Sequence, residues 1–460
     1  MSQSHRIDML HGPLVSRLLA FAIPLIFSGM LQQSFNAVDV AVVGRFSTSQ
    51  ALAAVGSNGP LVNILVNLFI GVSIGANVVI ANYIGRRNDK GIKKAIATTA
   101  TLSVVSGFAL LAIGQVFSRS ILEWMDTPAD VIELATAYLS VYFLGMPFMM
   151  VYNFGSAILR SMGDTRRPLY ALMISAAVNV GLDLLFTGAM DMGVNGVAIA
   201  TVCSNAINAG CIVWWLMREE EPYRLHVKEL KVSLSELKKM LQIGLPAGMQ
   251  GMIFSGANLF IQAAINSFGS NAMAGSSSAL TFEAYCYFIV AAFAQAATAF
   301  MSQNYGAGNY QRCRQIVSRC MILSVSLMIL STGTIHIFAS KCIGLFSSDP
   351  EVIKWGVMRI HCVLLFQAVA CSYEICGSGM RGLGNSLTPM LLTVFGTCVL
   401  RLVWIYTVNA HYHNFEILLI IYPISWLVTG ILVIWAYRRM ASRCLKGNNR
   451  VVGDPASKGF

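Results

Sequence analysis

Five side chains carrying carboxyl, amide or hydroxyl groups interrupt otherwise apolar stretches in the first half of the chain: Asp39, Asn153, Asn179, Asp183 and Thr201. A carboxylate at the centre of a bilayer costs on the order of 2.5–3.5 kcal/mol on insertion scales, so one retained there has a role by default. Asn179 precedes Asp183 by one helical turn, and Asn36 stands three residues before Asp39, so each amide shares a helix face with its acid. Two carboxylates brought together with amide and hydroxyl partners can share a proton, because like charges at close range repel. The same oxygens can equally coordinate a small cation, and H+ and Na+ both remain open. The competing role is a structural polar staple, since amides and hydroxyls also bond between helices at little cost.

The second half offers a different set. Glu283 and Glu374 lie in apolar runs, and Arg401 lies in another. These acids could bind a cationic substrate, pair with Arg401 or face an aqueous opening. Flat rings at Phe35, Tyr152, Tyr287 and Tyr373, with 23 methionines in the chain, suit a site that accepts varied apolar cations. Phe35, Asn36, Tyr152, Glu283, Tyr287, Tyr373 and Glu374 are therefore the substrate-contact candidates, although most such residues in a membrane protein serve packing or lipid contact.

The elements that position these groups follow from the composition. The 460 residues are 56% hydrophobic and 12% charged, against about 25% charged in soluble domains. Runs such as 95–117 and 240–282 carry no charge and are long enough to span, since a bilayer needs ~20 apolar residues. Twelve hydrophobic segments are expected, at 14–44, 53–84, 92–118, 131–160, 168–189, 193–216, 240–267, 276–305, 315–340, 352–380, 388–408 and 415–437. The apolar stretch after the charged start outruns a cleaved signal, whose apolar region is ~7–15 residues. Alternate loops and the termini hold most of the 32 basic residues; only Arg45, Arg119, Lys341, Lys354, Arg359 and Arg401 fall elsewhere. The positive-inside rule then places both termini in the cytoplasm of a bacterial inner membrane. The net charge of +11 thus reports topology and anionic-lipid contact, and gives nucleic-acid binding no support.

A repeat of about 221–222 residues runs through the chain. Pro24 and Pro246 occur in AIPL and GLPA, Tyr83 and Tyr305 in ANYIG and QNYGA, and Pro128 and Pro350 in TPADVI and DPEVI. LRSMGDTRRP at 159–168 matches MRGLGNSLTP at 380–389. Each copy has six helices, an even number, so both insert the same way with a site expected between them. The expected organisation is a first lobe at 1–217, a polar linker at 218–239, a second lobe at 240–440 and a tail at 441–460. The linker is a solvated connector or, less simply, an amphipathic surface helix. The copies differ where chemistry is expected: Ile261 stands opposite Asp39, Leu400 opposite Asn179, Trp404 opposite Asp183 and Glu374 opposite Asn153. No nucleotide-binding loop and no metalloprotease motif occurs. An intramembrane enzyme is therefore not expected, and no cofactor beyond the coupling ion.

AIPLIFSGMLQQSFNAVDVAVVGRF at 22–46, AAVG at 53–56, YNFGSAILRSMGDTRRPLYALMISAAVNVGLDLLF at 152–186 and CGSGMRGLGNSLTP at 376–389 together make the chain resemble the multidrug and toxic compound extrusion (MATE) family over nearly its full length. The resemblance implies an all-α membrane protein of twelve transmembrane helices, in two six-helix bundles related by pseudo-two-fold symmetry. It also implies a monomeric antiporter exporting cationic amphipathic compounds in exchange for H+ or Na+, closer to the DinF-like than to the NorM-like branch. An exporter or flippase of an endogenous metabolite or lipid-linked substrate on the same fold is the alternative. In the DinF-like branch the ion-binding group falls on Asp39, Asn153, Asn179, Asp183 and Thr201 of this chain. The branch's first-helix Tyr is Phe35 here, which removes a hydroxyl from that network. NorM-like carboxylates of the seventh helix have no match around Phe254 and Ser255, and the tenth-helix position falls near Ala370, one turn before Glu374. The resemblance therefore carries no second-lobe Na+ site over to this chain.

Overall fold

The computed structural model describes residues 6–46, 49–124 and 131–445, with the side chains at 36, 46, 49–61, 63, 121 and 124 outside the description. Lipid offers no partner for backbone N–H and C=O groups, so an apolar chain of this kind satisfies them internally as helices. The first half comprises α1 (Leu14–Phe46), α2 (Ser49–Gly85), α3 (Asp89–Trp124), α4 (Ile132–Leu144), α5 (Met146–Ser161), α6 (Arg166–Asp183) and α7 (Gly193–Met217). The second comprises α8 (Leu234–Asn266), α9 (Ser270–Gly306), α10 (Tyr310–Ile337), α11 (Ala339–Gly344), α12 (Pro350–Cys362), α13 (Ala370–Gly382), α14 (Leu387–Thr393), α15 (Leu400–Trp404), α16 (Ala410–Tyr412), α17 (Phe415–Leu419) and α18 (Ile421–Cys444). Several consecutive helices form one span. α4 and α5 bend by 45° at Gly145, where Pro147 removes a backbone donor. α12 and α13 join through a 3₁₀ turn, and α14 to α16 through π-helical turns.

Ten spans among the described residues are long and apolar enough to cross a membrane, and the bent α4–α5 pair makes eleven. The 33-residue α8 completes the twelve-helix fold. Beyond its charged start it is uncharged but carries Gln242, Gln250, Asn258, Gln262 and several glycines, which lower its mean hydropathy.

Compact packing divides the chain into two units. The first contains Met1–Ile7 and Phe27–Gly248, the second Asp8–Ile26 and Met249–Phe460. The first part of α1 is thus assigned to the second unit, and the first part of α8 to the first. Pro24 and Pro246 lie just before those two boundaries, where a missing N–H weakens the helical ladder.

In the first unit α2 and α8 approach through small residues. Gly71 and Gly75 meet Gly244 and Gly248, and a Cβ at any of the four would overlap backbone of the opposite helix. Close approach through small residues is the usual substitute for hydrophobic driving force in a membrane. Gly248→Leu is expected to destabilise by about 1–3 kcal/mol or more through overpacking, read as a lower melting temperature in detergent. Gly210→Leu on α7, with open space around it, should leave that temperature unchanged.

The matched decapeptides fold alike in the two units. Gly163 and Gly384 adopt φ of +89° and +91°, conformations that glycine reaches without strain. The next residue then returns to the preceding helix, Asp164 N to Leu159 O and Asn385 N to Met380 O, both at 3.0 Å. Asp164 Oδ1 accepts from Arg167 N, and Asn385 Oδ1 accepts from Thr388 N, both at 3.1 Å. This is a helix stop followed by a side-chain-capped restart, and it explains why the repeat keeps a glycine and then Asp or Asn.

The 218–239 linker contains no amphipathic surface helix ahead of α8, only a 3₁₀ turn at Val227–Glu229. It is anchored instead through Glu219, whose carboxylate is buried between Arg6 and Arg167. Short loops with a buried ion pair favour an ordered connector over a helix lying on the membrane.

Candidate functional site

In the first unit, α1, α6 and α7 bring Asp39, Asp183 and Thr201 together. Asp183 is fully buried at the end of α6 and Asp39 is 8% exposed, and their carboxyl groups face each other within hydrogen-bonding range. α6 continues past Asp183 as a π-helical turn at Leu184–Ala189, an irregularity frequent at functional positions. Ionised carboxylates only accept hydrogen bonds. Accordingly Asp39 Oδ1 and both oxygens of Asp183 lack a donor among the described residues.

Thr201 Oγ1 lies 2.9 Å from Val197 O and 3.5 Å from Asp39 Oδ2. A hydroxyl has one proton and two lone pairs, so Thr201 can donate to either acceptor and still offer a lone pair to a cation. Asn179, one turn before Asp183, is buried with its Nδ2 unpartnered among the described residues. Asn153 is half-buried, and its Nδ2 donates to Met149 O of its own helix at 2.9 Å. Its amide nitrogen is thus directed along α5.

Tyr138 and Tyr142 of α4 complete the surroundings and escaped the sequence reading. Their rings stack with centroids 5.9 Å apart. Tyr138 is close enough to feel both acids and Tyr142 to feel Asp39. Val42, Val43, Val194 and Val197 pack around Tyr138 and wall the pocket. The available signal was two tyrosines one turn apart in an apolar helix.

The substrate-contact candidates divide between the units. Phe35 and Tyr152 are half-buried in the first, and the side chain of Asn36 lies outside the described residues. In the second, Tyr287, Tyr373 and Glu374 cluster with Arg381. Arg381 itself donates to Gln250 Oε1 at 2.8 Å and Ser378 Oγ at 3.3 Å. Glu283 is occupied otherwise. Arg359 Nε and Nη2 donate to its two oxygens at 2.6 and 3.0 Å, and Nη1 to Ser276 Oγ at 2.8 Å. Its partner is thus Arg359, and Arg401 forms no ion pair with it. With both oxygens engaged, Glu283 offers no free charge to a cation in this conformation.

Arg401 is 1% exposed. Its guanidinium lies 4.3 Å from the Tyr422 ring, 5.5 Å from Phe254 and 5.9 Å from Trp426. Nε donates to Ser425 Oγ at 3.1 Å, while Nη2 has no partner among the described residues.

Similarity to known proteins agrees with this architecture. The chain is 28% identical over 427 residues to the probable multidrug resistance protein YoeA of Bacillus subtilis, covering 91% of this chain and 92% of that one. It is 24% identical to the FAD transporter of Shewanella oneidensis, over 95% of this chain and 97% of that one. A solved MOP superfamily transporter from Pyrococcus furiosus superposes with a TM-score of 0.90 at 23% identity, covering 97% of this chain and all of that one. The MatE family model matches twice, at residues 24–185 and 246–407, an offset equal to the internal repeat. These two matches take in most of the sequence, and with the twelve-helix fold they show that the chain belongs to the MatE family of multi-pass membrane transporters.

Proposed function

We propose that this chain is a secondary active multidrug efflux antiporter of the DinF-like branch, coupled to H+ or Na+ at the Asp39–Asp183 pocket. The observation that carries the reading is two buried carboxyls facing each other, three of whose four oxygens have no donor among the described residues. Such a pair is relieved by a shared proton or a bound cation, and loading it changes the charge of the pocket. We take that change to shift the first lobe between two packings and to lower its affinity for substrate, Asn179 and Thr201 supplying further ligands and Asn153 joining on rearrangement. Phe35, Asn36, Tyr152, Tyr287, Tyr373 and Glu374 remain the proposed substrate contacts, in a monomer with lobes at 1–217 and 240–440. The protein would sit in a bacterial inner membrane with both termini cytoplasmic. The names of relatives such as YoeA support a drug-like cargo.

The experiment is efflux of a fluorescent organic cation from proteoliposomes, first under a pH gradient alone and then under a Na+ gradient alone. Transport driven by one gradient identifies the ion. Transport driven by neither, in liposomes holding correctly folded protein, would sink the antiport reading.

A second reading, export of an endogenous anionic metabolite, is favoured by Arg401. A buried cation with a free Nη2 among aromatic rings suits a ligand that carries both an anionic group and a flat ring, such as a flavin nucleotide, and the Shewanella oneidensis relative is named an FAD transporter. Offering FAD and ethidium to the same proteoliposomes separates the two: the leading reading expects ethidium to move and FAD to stay.

A further inference from the structure

In the first unit, two concavities are lined by successive stretches of chain where the linker enters α8. The first is a cavity of about 290 Å³ between the start of α3 and the linker, walled by Lys93, Lys94, Arg224, His226, Lys231 and Glu229. Glu221 neutralises Lys93 at 2.6 Å and also engages His226. Among the described residues no carboxylate comes within ion-pair distance of Lys94, Arg224 or Lys231. With Glu229 counted against them, the wall stays net positive.

The cavity ends at Ser233, whose N–H donates to Thr98 Oγ1 of α3 at 3.0 Å and whose carbonyl accepts from Leu237 N at 2.8 Å, opening α8. The second concavity begins at the next residue. It is a groove of about 500 Å³ lined by Leu234, Leu237, Lys238, Leu241, Leu245 and Pro246. Spacings of three, four, seven and eleven place these residues on one face of α8. From Leu234 to Leu245 the helix rises about 16 Å, which is roughly half of the ~30 Å hydrocarbon core and so the depth of one leaflet.

We propose that the two concavities form one binding site for an anionic glycerophospholipid of the cytoplasmic leaflet. Lys94, Arg224 and Lys231 hold the phosphate, and one acyl chain lies along Leu234, Leu237, Leu241 and Leu245. A cationic cavity lined as far as Ser233, followed along the chain by an apolar groove of leaflet length from Leu234 onward, matches the two ends of that molecule in the right order. A soluble anion would fill the cavity and leave the groove bare. Ordinary annular lipid would fill the groove without regard to its headgroup.

The test is native mass spectrometry of the full-length, detergent-solubilised chain, titrated with phosphatidylglycerol and with phosphatidylcholine of equal chain length. The expected result is one phosphatidylglycerol retained at least roughly tenfold more tightly than phosphatidylcholine, since each basic group near an anionic lipid adds to its retention. The K94Q/R224Q/K231Q variant should lose that preference while keeping its elution volume. Equal retention of both lipids by the unaltered protein would overturn the proposal without any variant. So would binding of glycerophosphoglycerol, the headgroup lacking acyl chains, as tightly as the lipid, because the occupant would then be a free anion. A groove variant, Leu237→Asp, is expected to weaken the lipid and spare the soluble headgroup; loss of neither overturns the acyl-chain assignment.

Discussion

Asp39→Asn should reduce ion-driven export to the level of empty liposomes while the protein elutes and melts as the unaltered chain does. Asparagine copies the shape of aspartate, so the packing of Val42, Val43 and Val197 nearby is preserved. It cannot take up and release a proton, and as a neutral ligand it binds a cation more weakly than a carboxylate. The substitution also removes the like-charge repulsion with Asp183, so the fold should if anything gain stability. Loss of transport with a retained or raised melting temperature would separate a coupling role from a structural one. Asp183→Asn should behave alike, because either half of a shared site is needed to bind and discharge the ion. Undiminished transport under the pH and Na+ gradients by both variants would remove the pocket from the mechanism.

The Glu283–Arg359 pair leads to the second large effect, on stability. Arg359 is 1% exposed and Glu283 8% exposed, and they are joined through two hydrogen bonds. Removing one member of a buried pair typically costs about 3–5 kcal/mol, because the other charge stays behind unpaired. The two single variants should differ. Arg359→Met leaves a carboxyl that can escape its charge by taking a proton. Glu283→Leu leaves a guanidinium, which stays charged under all working conditions. The lower melting temperature is therefore expected for Glu283→Leu, and the double variant should recover most of the loss, as well-packed apolar replacements of buried ion pairs do. Equal, small effects of both single changes would show that the pair is hydrated and contributes little.

Much of the fold was legible in the sequence because membrane burial is a local requirement. Each span must be long and apolar on its own, so twelve segments could be bounded before any packing was known. Glycine at 163 and 384 is likewise a local requirement of φ, which is why the decapeptide repeat survived and could be recognised. The coupling candidates also stood out locally, since Asp39, Asn179 and Asp183 are expensive wherever their helices turn.

Partnerships were a different matter, because they depend on how each helix is rotated and what stands beside it. Glu283 was open to several partners in the sequence, and only the packing of α9 against α12 gave it Arg359. Tyr138 and Tyr142 read as two aromatic residues among many until α4 placed them beside the acids. The assignment of Asp8–Ile26 to the second unit leaves no trace in a hydropathy profile, which counts apolar residues without knowing which neighbours bury them. From its sequence alone, this protein was determined to be a duplicated twelve-helix membrane chain with acids in its first half. The tertiary structure decided which of its buried charges are neutralised and which are left facing one another, because charge pairing in lipid is a matter of distance between helices and not of composition along one.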